Sequence, residues 1–205
     1  MRVLPSGSTA LLVELDSLDD VLAWYAALAE QRPAGVLDVV PAARTVLLVA
    51  DPTATDLATV ERAVRAIEPR YDRRAVGDLV ELPVTYDGED LDDVASLLGC
   101  DAGEVVRRHT QEEWTVAFCG FAPGFGYLTG ASHEWNVPRR ASPRTKVPAG
   151  SVALAGEFSG VYPRESPGGW QLIGRTDVAV FDLDRDPPAL LRPATRVRFV
   201  EVGRT

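Results

Sequence analysis

The sequence predicts an α+β protein in two parts: a ferredoxin-like α/β domain at residues 1–82 and a β-barrel domain at residues 83–205. Up to residue 86, strand patterns alternate with amphipathic helices. From Trp114 onward no long helical pattern occurs, and short apolar runs are separated by glycine and proline instead. The length of 205 residues suits either one large domain or two small ones.

The N-terminal part predicts the element order β-α-β-β-α-β. In its first helix, apolar residues recur on one face from Leu18 to Ala29, and Asp16 or Ser17 can cap the start. Pro69 stops the second helix. The predicted strands are 9–15, 36–40, 45–50 and 78–86, and the predicted helices are 18–29 and 57–67. This order is typical of a ferredoxin-like layer in which both helices cover one sheet face.

Two short helices precede the barrel. The first spans 91–98 and ends at Gly99, and the second spans 102–109 and carries His109 one turn beyond Val105. The apolar runs that follow lie at 114–118, 152–154, 178–181 and 197–200. Short runs of this kind, punctuated by glycine and proline, are typical of a compact barrel or sandwich.

Composition argues against several classes of protein. Hydrophobic residues make up 46% and charged residues 25% of the chain, which is typical of a soluble globular protein. The net charge of −9 argues against a protein that coats nucleic acid, and no apolar run approaches the ~18 residues of a membrane span. The start lacks a signal-peptide pattern, and the two cysteines form no CxxC motif. We therefore expect a cytoplasmic protein with reduced thiols.

The segment 114–175 differs from the rest of the chain in charge and glycine content. It holds six lysines and arginines against three glutamates, a net charge of +3, and it contains 10 of the 17 glycines and no aspartate. A glycine-rich, cationic segment in an acidic protein indicates a site for a small anion such as a carboxylate or phosphate. The alternative is a solvated surface on which the charges cluster by chance.

Two Pro-Gly corners in this segment predict rigid turns. Pro123-Gly124 and Pro167-Gly168 each place proline where φ is about −65° and glycine where φ is positive, the pattern of a type II turn. The aromatic residues around the two corners are Phe118, Phe121, Phe125, Tyr127, Tyr162 and Trp170. Rigid corners with aromatic rings can form the wall of a preorganised pocket. The alternative is hairpin connections filled with core aromatics.

One histidine, one glutamate and a group of arginines are the candidates for chemistry. His109, at a helix end before the cationic segment, is a candidate general acid or base, and a polar helix terminus explains it equally well. Glu165 lies on a tight loop and is a second candidate, or a surface partner of Arg164. The prolines of PRRASPRTK keep the backbone extended, so its arginines can bind an anion or form a subunit contact. These arginines are Arg139, Arg140 and Arg144.

Common catalytic motifs are absent from the sequence. It has no GxxxxGK[ST] phosphate loop, no GxGxxG fingerprint, no HExxH zinc motif and no GxSxG elbow. Cys119 lies in a predicted strand at 116–121, where a small buried hydrophobe is a better interpretation than a nucleophile. Any nucleotide must therefore be bound without a standard phosphate loop.

Three motifs carry a family resemblance. GFAPGFGYLTG (120–130), VPRRASPRTKVPAGSVALAG (137–156) and YPRESPGGWQLIGRT (162–176) resemble the KipI/PxpB family, which is also described as allophanate hydrolase subunit 1 and as the carboxyltransferase domain, subdomain C and D. The resemblance covers the C-terminal half almost continuously, whereas the first 80 residues match in layout more than in motif. Gly126 departs from the family pattern, which has proline at that place.

The resemblance implies a cyclophilin-like barrel and membership of an ATP-dependent 5-oxoprolinase complex, in which this chain is the PxpB-type subunit and is inactive alone. The implied partners are a related subunit 2 of the PxpC or KipA type and a PxpA (LamB/YcsF) type protein. The implied cofactor is ATP, with Mg²⁺, bound by the complex rather than by this chain alone, and no metal ligands are expected here. The proton-transfer candidates are His109 and Glu165, and the residues expected to bind substrate or phosphate are Gly120, Phe121, Pro123, Gly124, Tyr127, Arg139, Arg140, Arg144, Lys146, Tyr162, Ser166, Gly168, Gly169 and Trp170.

The same resemblance leaves other functions open. A KipI-like protein can act as a binding module that inhibits a histidine kinase. A relative of urea carboxylase can act as a carboxyltransferase subunit on carboxybiotin. A cyclophilin-type prolyl isomerase is a further alternative, which rests on fold analogy alone.

Overall fold

The computed structural model describes residues 1–71, 77–132 and 134–203. Contacts divide the chain into two compact units, Met1–Val76 and Gly77–Thr205. The first unit contains β1 (Arg2–Ser6), β2 (Ala10–Glu14), α1 (Leu18–Glu30), β3 (Val36–Pro41), β4 (Thr45–Ala50) and α2 (Leu57–Ala66). The second contains β5 (Leu79–Val84), α3 (Leu91–Leu98), α4 (Ala102–Gln111), β6 (Trp114–Cys119), β7 (Gly126–Gly130), β8 (Arg144–Val147), β9 (Ser151–Ala155), β10 (Phe158–Val161), β11 (Ser166–Gly168), β12 (Gln171–Arg175) and β13 (Arg196–Glu201). None of the described helices is long and apolar enough to cross a membrane.

The first unit is an antiparallel sheet in the order β1-β2-β4-β3, with α1 and α2 packed on it. Alternate residues of β4 are buried, and they meet the apolar stripes of both helices in one core. Helix α1 begins at the predicted cap. The Ser17 hydroxyl accepts from the Asp20 backbone N–H, and the Asp20 carboxylate accepts from the Ser17 N–H, which completes a capping box. The two predicted helices of this unit are confirmed.

The ferredoxin-like order is wrong in its last strand. The strand predicted at 78–86 forms as β5, but it pairs in parallel with β13 of the second unit. The edge of the first sheet is filled instead by β1, which pairs with β2. The segment Arg2–Ser6 carries no strand signal because it is short and contains Pro5, a residue that only an edge strand accommodates easily.

The second unit is a nearly closed, barrel-like sheet. Its seven strands follow the order β12-β9-β10-β7-β6-β13-β5. Thr85 and Arg175 join the two ends, each donating its backbone N–H to the other's carbonyl at 2.9 Å. Helix α3 packs against β12 and α4 against β13, and β8 pairs with β11 in a separate small sheet. The predicted change to β structure after Trp114 is confirmed.

The seam that closes the barrel requires glycine at two positions. A Cβ atom at Gly88 would lie 2.3 Å from the carbonyl oxygen of Leu172, and one at Gly174 would lie 2.6 Å from the carbonyl oxygen of Thr85. Because these neighbours are backbone atoms of the seam, no side-chain rotation can relieve the overlap. The close approach of the two chain segments therefore depends on the absence of a side chain.

We expect Gly88→Ala to destabilise the second unit by about 1–3 kcal/mol or more, the usual cost of overpacking, since the added methyl group must push the seam apart. Gly203→Ala is the matched control, because a Cβ atom there would meet no atom within 4 Å. Urea unfolding followed by tryptophan fluorescence measures both. Equal stability of the two variants would contradict the close approach at Gly88.

Candidate functional site

The predicted turn at Pro123-Gly124 is confirmed. The Phe125 N–H donates to the Ala122 carbonyl at 3.0 Å, and Gly124 has a φ of 82°, as a type II turn requires. The Gly120 N–H donates to the Phe125 carbonyl at 3.2 Å, which closes the corner a second time. This corner therefore holds the aromatic residues on either side of it in fixed places.

The predicted type II turn at Pro167-Gly168 is wrong. Gly168 does not have a positive φ, and Ser166–Gly168 forms β11, which pairs with β8. Glycine is needed at this position for space, because a Cβ atom would lie 2.3 Å from the Tyr162 hydroxyl oxygen. The Arg140 N–H donates to the Gly169 carbonyl at 2.9 Å, so this corner is joined to the arginines of the neighbouring segment.

The two corners meet through their rings in an aromatic wall, formed by Phe121, Phe125, Tyr127, Tyr162 and Trp170. The ring of Phe125 lies 5.3 Å from the rings of Tyr162 and Trp170, and the ring of Tyr127 lies 5.5 Å from that of Trp170. These rings meet edge to face, the favoured arrangement for aromatic pairs. Phe125, Tyr162 and Trp170 are buried, so most of the wall is also core.

Phe121 is the exposed end of the aromatic wall. Its side chain is 60% exposed although its ring lies 5.4 Å from Phe125 and 6.2 Å from Tyr162. Its φ of 66° is in the left-handed region, which costs roughly 1–2 kcal/mol for a residue with a Cβ atom. A strained backbone that carries an exposed ring is a feature that concentrates at binding sites.

A single carboxylate holds two of the predicted arginines. Asp90 is buried, and its Oδ1 accepts from Arg140 at 2.5 Å and from Arg144 at 2.8 Å. Its Oδ2 accepts from the Leu172 backbone N–H at 2.7 Å. Glu89 adds a more exposed contact to Arg144 at 3.0 Å. The segment 139–144, here called the arginine segment, is thereby fixed to the end of the barrel seam.

The protonation of Asp90 follows from these contacts. Burial alone would raise the pKa of its carboxyl group, but hydrogen bonds from Arg144 and the Leu172 N–H, with the positive charges of both arginines, hold the pKa below its usual range. The carboxylate is therefore charged at neutral pH, and it neutralises part of the positive charge that the sequence suggested for this segment.

Arg139, Lys146 and Glu165 are the other charged residues predicted at the site. Arg139 is exposed, and within the described parts of the chain no acidic group forms an ion pair with it. It directly precedes Arg140, whose N–H donates to the carbonyl of Gly169, the residue before Trp170, so the backbone of Arg139 lies beside the aromatic wall. Lys146 pairs with Glu165 at 3.0 Å, and both side chains are mostly exposed, so this pair adds little stability.

His109 lies in the barrel core, apart from the wall and the arginine segment. It is fully buried, with Nδ1 at 2.7 Å from the Tyr86 hydroxyl and Nε2 at 2.9 Å from the Ser159 hydroxyl. Its ring packs against Phe199 and Trp114. Burial lowers the pKa of His109 to about 3, so the ring is neutral. This placement is that of a core residue, and its role in proton transfer stays a prediction.

A cavity of about 380 Å³ lies elsewhere in the second unit, against α4. Arg107, Arg108 and Trp135 are among its lining residues, and none of the predicted site residues lines it. Glu112 at its edge accepts from the Ser132 N–H at 3.1 Å and from the Trp135 indole at 3.0 Å, so its polar groups are already engaged. The geometry therefore favours the aromatic wall and arginine segment as the candidate site.

Asp90 is the site residue that sequence reasoning missed. It lies 50 positions before Arg140, and its place ahead of a helix at 91–98 is that of an ordinary N-cap. In the structure it does hold the N-cap position of α3, but its side chain makes no capping hydrogen bond. Cys119 agrees with the interpretation as a hydrophobe, because burial raises the pKa of its thiol to about 11.

Comparison with known proteins gives a consistent result. The family model "Carboxyltransferase domain, subdomain C and D" matches residues 1–191. The B-type subunit of 5-oxoprolinase from Escherichia coli O157:H7 is 38% identical over 202 residues, 95% of this chain and 93% of that protein. The protein of the same name from Bacillus subtilis (strain 168) is 48% identical over 128 residues, 61% of this chain and 53% of that protein.

Solved structures share the fold. The crystal structure of TTHA0988 in space group P212121 matches with a TM-score of 0.77 and 38% identity over 96% of this chain, which spans 40% of that chain. The Kluyveromyces lactis urea carboxylase matches with a TM-score of 0.66 and 19% identity over 99% of this chain and 23% of that chain, which shows a shared fold alone.

The buried His109 predicts a pH-dependent stability. Its pKa is about 3 in the folded state and 6.5 when exposed, so the unfolded state binds more protons between these values, and stability falls as pH falls from about 6.5 towards 3. Between pH 7 and pH 4.5 we expect His109 to account for a loss of about 2.5 kcal/mol. His109→Gln should lose less over the same interval, measured by urea unfolding with tryptophan fluorescence. Identical pH profiles would contradict this.

Phe121 predicts a difference between two truncations. Phe121→Gly and Phe121→Ala both remove the exposed ring, but only glycine adopts a φ of 66° without strain. We expect the glycine variant to be more stable than the alanine variant by about 1 kcal/mol. This net value is the backbone strain that glycine relieves minus the conformational entropy that glycine adds to the unfolded chain. Denaturant titration of both variants measures the difference. An alanine variant of equal or greater stability would show that the backbone is unstrained.

Proposed function

The chain belongs to the family described as carboxyltransferase domain, subdomain C and D, and we propose that it is the PxpB-type subunit of an ATP-dependent 5-oxoprolinase complex. The proposed reaction opens the lactam ring of 5-oxoproline to glutamate and is coupled to ATP hydrolysis. The observation that carries this proposal is the similarity, over nearly the whole length of both chains, to a protein named as a 5-oxoprolinase subunit.

The chemistry of this reaction suits the candidate site. A lactam is a resonance-stabilised amide. Transfer of the γ-phosphoryl group of ATP to the lactam oxygen would release ADP and activate the carbon, and attack of water there, with loss of phosphate and cleavage of the C–N bond, would give glutamate. The carboxylate of 5-oxoproline and the phosphates of ATP are anions, so the site must offer fixed cations. Arg139 is the exposed cation beside the aromatic wall, and the arginines on its C-terminal side are fixed by Asp90. This arrangement supports binding of a small anion rather than an extended one.

The proposed roles follow from exposure. Arg139 binds the anion, and the exposed Phe121 bounds the ring of the substrate with the buried Tyr162 behind it. The glycines Gly120, Gly124, Gly168 and Gly169 keep the corners compact. Arg140 and Arg144 contribute positive charge that Asp90 partly neutralises. Glu165, exposed beside Lys146, is the better placed of the two proton-transfer candidates, since His109 has no exposed surface. Ser166 and Trp170 complete the wall's edge.

The proposal includes the assembly. A related subunit 2 of the PxpC or KipA type and a PxpA (LamB/YcsF) type protein complete the enzyme, and ATP with Mg²⁺ is held by the complex rather than by this chain alone. We further propose a cyclophilin-like classification of the barrel and a cytoplasmic location. We place the domain division at residues 76 and 77 instead of the expected 82 and 83, because the latter would cut β5. The exposure of Phe121 and Arg139 supports a site that is completed by another polypeptide.

Co-expression tests this function directly. We expect the purified three-protein complex to release ADP from ATP at a rate that rises on addition of 5-oxoproline, with glutamate formed in proportion. Omission of this chain should abolish the 5-oxoproline-dependent rate, and this chain alone should show none. A complete complex whose ADP release ignores 5-oxoproline would overturn the proposal.

A further inference from the structure

We infer that Asp90 is a positioning residue of the anion site, one that fixes the arginine segment so that Arg139 is free to bind the anion. The identity of that anion rests on the proposed function, whereas the positioning itself does not. The contacts of Asp90 carry this assignment: it is 1% exposed, and it accepts hydrogen bonds from two guanidinium groups and one backbone N–H.

The arginine segment is tied to the barrel on both sides of its bend. At one end the Arg140 guanidinium donates to Asp90 and the Arg140 backbone N–H donates to the Gly169 carbonyl at 2.9 Å. At the other end Arg144 donates to the same Asp90 oxygen and enters β8. Arg139 directly precedes the first of these ties. Its place beside the aromatic wall therefore depends on a carboxylate that does not contact it.

The three arginines differ in what their guanidinium groups are free to do. Two of the arginines each have one buried nitrogen without a hydrogen-bond partner among the described residues, namely Arg140 Nε and Arg144 Nη1. Other nitrogens of the same two side chains donate to Asp90. A buried donor without a partner lowers the stability of the folded state. The contacts with Asp90 therefore keep these two side chains in place despite that loss of stability. Arg139 is exposed, and the described part of the chain offers its side chain no acidic partner.

The charge of Asp90 is what the arrangement requires. An asparagine at this position has the same shape and keeps one acceptor oxygen, but the two neighbouring guanidinium groups lose the carboxylate that they share. Arg140 then has no acidic partner among the described residues, and Arg144 keeps only the exposed Glu89. Their mutual repulsion then acts to separate Arg140 from Arg144, and the segment that carries Arg139 loses its fixed end. Asp90 affects anion binding only by positioning Arg139, so the effects of substituting Asp90 and Arg139 must be coupled.

A double-mutant cycle in the assembled complex tests this coupling. We expect Asp90→Asn and Arg139→Gln each to raise the KM for 5-oxoproline at least about tenfold, the usual order for a lost charged contact. The double variant should have a KM no higher than that of Arg139→Gln, because Asp90 acts through Arg139. Glu112→Gln is the control for general destabilisation: it loses a hydrogen-bonded carboxylate near α4 and should leave the KM unchanged. An unchanged KM in Asp90→Asn, or multiplicative effects in the double variant, would overturn the inference.

Hydrogen exchange tests the positioning without any substrate. In Asp90→Asn we expect the backbone amide of Arg140 to exchange at least about tenfold faster than in the unaltered protein, while Glu112→Gln leaves that amide unchanged. Unchanged exchange at Arg140 in Asp90→Asn overturns the inference even if the complex is active. Faster exchange in a complex that does not respond to 5-oxoproline instead refutes the proposed function and leaves the positioning intact.

Discussion

The buried carboxylate of Asp90 joins the closure of the barrel to the placement of the arginine segment. Its backbone N–H continues the seam by donating to the Leu172 carbonyl at 3.0 Å, and its side chain accepts from the Leu172 N–H and from two guanidinium groups. Removing one partner of such a buried pair typically costs about 3–5 kcal/mol, because the other charge is left uncompensated. A barrel that closes along this seam therefore also sets the arginines in place.

The same carboxylate changes the electrostatic picture that the sequence suggested. Acidic residues neutralise part of the positive charge of segment 114–175. Asp90 and Glu89, from outside the segment, form ion pairs with Arg144, and Glu165, from within it, forms an ion pair with Lys146. Among the described residues of this segment, Arg139 and Arg164 are the exposed cations that form no ion pair, and Arg139 is the one beside the aromatic wall. A local charge beside aromatic rings suits one small anion, whereas a polyanion needs many spaced cations.

The sequence predicted the helices and most strands because their signals are local. The apolar stripe of α1 and its cap lie within a few turns, and the type II turn at Pro123-Gly124 is encoded by two adjacent residues. The destination of β5 could not be predicted, since nothing within Leu79–Val84 selects β13 over the first sheet. Asp90 was missed for a similar reason: its partners lie 50 to 54 positions later, and only the closed seam brings them together.

The aromatic wall contains buried rings that stabilise the fold and one exposed ring that is available for binding. Phe125, Tyr162 and Trp170 are buried and would be retained by stability alone. Phe121 differs from these three residues, because its ring is mostly exposed and its left-handed backbone is strained. Glycine at this position would make the isolated chain more stable than phenylalanine does. Arg139 has no acidic partner among the described residues, and together with Phe121 it forms the part of the site that gains its contacts from another molecule. In the proposed complex, the rigid inner rings keep Phe121 in place before that molecule arrives, which lowers the entropy lost on binding.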